Sequence, residues 1–69
     1  MPLTMVEVGS TNCIQRISGR DAVRQHLAEL GFVVGTQVTV LSRIGGNVIL
    51  AVKGSRIAID QTMANRIFI

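Results

Sequence analysis

The chain has 69 residues, 48% of them apolar before its seven glycines are counted, with a net charge of +3 and a single cysteine. One cysteine excludes an intramolecular disulfide and a C-x-x-C metal knuckle, and it suits a reducing, cytosolic compartment. The longest uninterrupted apolar run, Val48 to Val52, is far below the ~18–20 residues of a membrane span. The Met1–Gly9 segment has neither the basic start nor the apolar length of a signal peptide, so a soluble single domain over residues 1–69 is expected. Arg16, Arg20, Arg24, Arg43, Lys53, Arg56 and Arg66 are scattered and never form a block, the pattern of a solvated surface. A chain this short buries a smaller share of its surface than a long one, so part of the apolar material is expected to remain outside as a contact patch.

In chain order, Leu3, Met5, Val6 and Val8 precede Gly9 and predict a short strand or a packing arm. Asn12 to Ile17 reads as one strand with Ile14 and Ile17 toward the core, although those two differ in parity. Ser18 lies three residues before Asp21, the spacing of a capping box, and predicts the start of a helix. Val23, Leu27 and Leu30 then recur at helical period, with Arg24, Gln25 and Ala28 on the far side. Gly31 follows the last of them, where a left-handed residue turns the chain out of the helix.

Beyond the apolar bridge Phe32–Gly35, the chain reads as strand and turn. Thr36 to Ile44 alternates around Val38 and Val40. Gly45-Gly46-Asn47 is a hairpin signal, because glycine accepts the positive φ such turns require. Val48 to Val52 is apolar on both faces and reads as a central strand. Lys53-Gly54-Ser55 turns into a strand around Ile57 and Ile59. Gln61 to Asn65 predicts one helical turn, and Arg66 to Ile69 a last short strand. About five strands and one main helix with short connections predict a mainly β fold: a small, partly open antiparallel barrel braced by one α-helix.

The pattern Leu27-x-x-Leu30-Gly31-Phe32-x-x-Gly35, Val38-x-Val40, Val52-x-Gly54-x-x-Ile57-Ala58-Ile59 and Ala64-x-x-Ile67-x-Ile69 resembles the FeoA family, as do Leu3…Gly9 and Ile14…Ile17. The resemblance spans nearly the whole chain and is specific as an ensemble. It implies an SH3-like barrel and a cytoplasmic component of bacterial ferrous-iron uptake, non-enzymatic, acting on the FeoB-type membrane GTPase transporter. Two positions depart from the family pattern. Val34 stands where members often have proline, and Gly45-Gly46-Asn47 replaces a longer loop. The resemblance also extends to the SH3-like accessory domain of metal-dependent bacterial repressors, which gives the alternative of a stand-alone regulatory or transition-metal-binding domain.

The residues offer little chemistry of their own. One histidine, one cysteine and four carboxylates scarcely furnish a nucleophile, a base and an orienting group. His26 and Glu29 share a flank of the helix, and with Cys13 they are the candidates for ferrous iron or another divalent transition metal. A stable site wants three or four converging ligands, so packing is the simpler role for each, and no other cofactor is expected. With no tryptophan or tyrosine and two phenylalanines, the barrel lacks both the aromatic groove that holds proline-rich peptides and the stacking platform for single-stranded nucleic acid. The expected partner is therefore a protein, with neither nucleic acid nor membrane insertion, and self-association is open. The first candidate surface is the Leu41–Leu50 hairpin, with Leu41, Ile44, Val48 and Leu50 as its contact residues.

Overall fold

A computed structural model describes residues Met1–Ile69. Its strands are β1 (Thr11–Cys13), β2 (Arg16–Ile17), β3 (Gln37–Ile44), β4 (Asn47–Val52), β5 (Ser55–Asp60) and β6 (Ile67–Phe68). Helix α1 (Asp21–Glu29) lies between β2 and β3, one-turn helix α2 (Gln61–Ala64) lies between β5 and β6, and a short 3-10 helix occupies Leu3–Met5. One sheet has the order β1-β3-β4-β5, and β2 pairs with β6 in a second. All pairings are antiparallel. The two sheets enclose a single apolar cluster to which Leu27 of α1, Ala64 of α2 and Leu3 and Val6 of the N-terminal arm contribute; no polar side chain is buried.

The expected strand from Asn12 to Ile17 is two strands in two different sheets. The chain leaves β1 at Ile14, whose amide bonds Thr36 at 2.9 Å, and rejoins a ladder at Gln15, whose amide bonds Phe68 at 2.8 Å. This change of sheet lets Ile14 and Ile17 both face the core, which one flat strand forbids. The strand count is accordingly six.

The capping box also differs from expectation. Arg20, not Ser18, is the N-cap of α1, with no side-chain cap bond. Ser18 instead extends the β2–β6 pairing, its amide donating to the Arg66 carbonyl at 2.8 Å. The helix C-terminus is as predicted. Phe32 N–H donates to Leu27 C=O and Gly31 N–H to Ala28 C=O, both at 2.9 Å. This is the Schellman pair, with Gly31 at φ +106° and the buried Leu27 and Phe32 as its apolar contact. Leu27 is buried while Val23 and Leu30 pack half-exposed against the core.

Both hairpins have two-residue turns. Between β3 and β4 only Gly45 takes a positive φ, +58°, as a type II′ turn requires at its first central position. Between β4 and β5 both Lys53 (φ +49°) and Gly54 (φ +79°) are left-handed, the type I′ geometry. Strand β4 is central, as its two-sided apolar pattern predicts. Asp60 caps α2, its carboxylate accepting from Met63 N–H at 2.7 Å. The arm closes the circuit: Met1 and Ile69 exchange backbone bonds at 3.1 and 2.9 Å, and Pro2 bridges Phe68.

Candidate interaction surface

The residues that decide the surface lie on the β3–β4 hairpin. Its turn pairs Ile44 with Asn47, Arg43 with Val48 and Ser42 with Ile49; beyond a β-bulge, Val40 pairs with Leu50. Leu41 is the extra residue, with no partner of its own. A bulge reverses which parity of the strand faces inward. Val38 and Val40 are therefore core residues on one side of it, and on the other the exposed Arg43 takes that parity, paired with buried Val48.

This corrects the expected contact residues. Carried through the turn without a bulge, the register sets Leu41 opposite Leu50 and gathers Leu41, Val48 and Leu50 on one outer face. With the bulge, Val48 (2% exposed) and Leu50 (0%) belong to the core. Ile44 is 66% exposed and Leu41 is half-buried. Ile49, Ala51 and Ala58 are the outer-face apolar residues missed in the sequence, and a bulge signal at Leu41-Ser42 is what would have found them.

The outer face of the four-stranded sheet thus carries Leu41, Ile44, Ile49, Ala51 and Ala58 in adjacent rows. Ile49 lies between Ser42 and Ala58, and Ala51 lies between Thr39 and Arg56. Toward β1 the apolar rows give way to hydroxyls, with Thr11 and Thr39 bonded Oγ1 to Oγ1 at 2.7 Å. A shallow trough of about 490 Å³ runs here over Thr11, Gln37, Thr39, Ala51 and Lys53. The face combines an apolar strip, a polar border and the cations Lys53 and Arg56, a composition suited to another protein's surface.

Arg43 fixes the end of this face. Its guanidinium donates to the carbonyls of Thr4 and Val6, on either side of Met5. The arm is thereby tied to the hairpin while Met5 stays 69% exposed. A second depression, about 320 Å³, lies between α1 and the helix-exit loop and exposes Val33 and Val34. Val34, at the position where proline is frequent in the family pattern, is 60% exposed there.

The metal candidates stay apart. Cys13 is half-buried on β1, paired with Gln37, its thiol turned toward the Ile14 carbonyl at 3.8 Å. His26 and Glu29 are exposed on α1. No three histidine, cysteine, aspartate or glutamate side chains converge anywhere in the fold, so the donor set does not fit a stable transition-metal site. No helix is long and apolar enough to cross a membrane.

Comparison with known proteins agrees with this architecture. A Methanocaldococcus jannaschii protein named Fe(2+) transport protein A is 29% identical over 68 residues, covering 99% of this chain and 83% of that one. The crystal structure of an iron uptake regulatory protein, FeoA, superposes with a TM-score of 0.88 at 32% identity, covering 96% of this chain and 88% of the other. Stenotrophomonas maltophilia FeoA, a prokaryotic SH3 domain protein solved with zinc, gives 0.84 at 24% identity, with coverages of 99% and 87%. A manganese-dependent transcriptional repressor shares the fold at 0.90 and 24% identity, but this chain matches only 34% of its length. The FeoA domain profile matches residues 1–69, and the chain, an SH3-like barrel in fold, belongs to the FeoA family associated with ferrous-iron transport.

Proposed function

We propose that this chain is a non-enzymatic, cytoplasmic accessory protein of ferrous-iron uptake that binds the cytosolic part of a FeoB-type GTPase transporter and regulates it. The observation that carries the reading is the outer sheet face, where Ile44 stands 66% exposed and Leu41 and Ile49 are half-buried. An apolar strip with a polar rim, on a barrel poor in reactive groups, acts by contact. Iron is then the transporter's cargo. The chain's own donors are dispersed, and its contribution is mechanical: occupying a surface of the GTP-binding domain and shifting that domain's conformational balance.

The test is titration of the full chain into the soluble GTP-binding domain, with and without guanine nucleotide, followed by calorimetry. Binding at roughly tens of micromolar or tighter is expected, and Ile44→Asp should weaken it with no change in stability. No detectable binding in either nucleotide state overturns the proposal.

A further inference from the structure

Strand β5 is an edge of the four-stranded sheet. Its inner edge pairs with β4, and the bond from Gln61 N–H to Gly46 C=O (2.9 Å) fixes the alternation along that ladder. Ser55, Ile57 and Ile59 are then the residues that bond β4, while Arg56 and Ala58 turn their backbone N–H and C=O away from it. No backbone or side-chain bond from elsewhere in the chain reaches the groups of Arg56 or Ala58. Both residues are exposed, and Ile57, opposite the fully buried Leu50, is only half-buried because the barrel is open on this side.

An open, regular edge of this length is a template for another strand. Its sequence, Ser55-Arg56-Ile57-Ala58-Ile59-Asp60, is self-complementary about Ala58. Antiparallel pairing with an identical strand on a twofold axis at Ala58 sets Ala58 against Ala58 of the second copy and Arg56 against the second copy's Asp60. Ala58 is also an outward-bonding residue, so the central pair exchanges two N–H···O=C bonds in the register that the charges select. The Asp60 carboxylate caps α2 through one oxygen, which leaves the other for a guanidinium.

We infer that the β5 edge is a homodimerisation surface: two copies pair β5 antiparallel about Ala58, with reciprocal Arg56–Asp60 contacts, into one continuous eight-stranded sheet. The pairing is isologous, so it closes at two copies and does not propagate. It sets the two outer apolar faces side by side along one twisted sheet, offering a partner twice the surface.

The experiment is sedimentation equilibrium of the full chain up to about 0.5 mM, paired with amide exchange read residue by residue. The expected result is a dimer whose formation slows exchange at Ala58 as concentration rises. Ala58→Pro removes the edge N–H without touching the β4 ladder, a site where proline is tolerated, and should yield a folded monomer. Arg56→Glu turns two attractive pairs into repulsive ones and should raise the dimer dissociation constant about tenfold, with an unchanged circular dichroism spectrum. A monomeric wild-type chain at the highest concentration overturns the inference, and so does an Arg56→Glu chain that dimerises as well as wild type. Protection of Ala58 by the transporter's domain and not by a second copy also overturns it, assigning the edge to a foreign strand.

Discussion

Arg43 and Val48 are direct partners across the β3–β4 ladder on the core-facing side of the sheet, yet Val48 is buried and Arg43 reaches out to the Thr4 and Val6 carbonyls. The arginine is long enough to leave the ladder, and its head finds two carbonyl acceptors in the N-terminal arm. Arg43→Met keeps the stem and removes the donors. The expected cost is about 1 kcal/mol, with faster amide exchange confined to residues 3–6. A uniform rise in exchange through the whole barrel would show that Arg43 does more than hold the arm.

The hairpin carries both a fully buried and an exposed aliphatic residue: Leu50 is 0% exposed and Ile44 66%. Leu50→Ala should destabilise by about 2–5 kcal/mol, the range for truncating a fully buried leucine, whereas Ile44→Ala should change stability by less than about 0.5 kcal/mol. Urea unfolding of the two variants checks the bulged register directly. Comparable losses at both positions would mean that the bulge does not set the faces as described.

Gly31 takes φ +106°, and a Cβ built there meets only Val52 and Lys53 atoms at ordinary contact distance. Its requirement is therefore conformational, not steric crowding. Gly31→Ala is expected to cost about 1–2 kcal/mol and to fray the last turn of α1, seen as faster exchange at Phe32. A neutral substitution would contradict the Schellman ending.

Asp60→Ala removes the acceptor for Met63 N–H and should cost about 1 kcal/mol, while Asp60→Asn retains the cap and most of the stability. Thermal unfolding of the pair distinguishes capping from charge.

Cys13, His26 and Glu29 do not form one donor set. In an anaerobic ferrous titration, His26→Ala should behave as the parent chain does. A saturable site that disappears with His26 would refute this.

Much of the fold was readable because its signals are local. Gly31 marks the helix end, Gly45 and Gly54 mark the turns, and the unbroken apolar run Val48–Val52 marks the central strand. The misreadings share a different cause. Whether Asn12–Ile17 is one strand depends on Phe68 and Thr36, distant partners that draw its two halves into different sheets. Ser18 has the spacing of a cap but is claimed by Arg66. The faces of Val48 and Leu50 turn on one extra residue at Leu41, since a single bulge inverts every later side chain in the strand.

The paired ends have a topological consequence. With Met1 and Ile69 bonded to each other and Pro2 bridged to Phe68, the backbone follows a nearly closed ring. A few residues joining position 69 to position 1 would make a circular polypeptide, and reopening it between Gly45 and Gly46 should give a permutant with the same barrel.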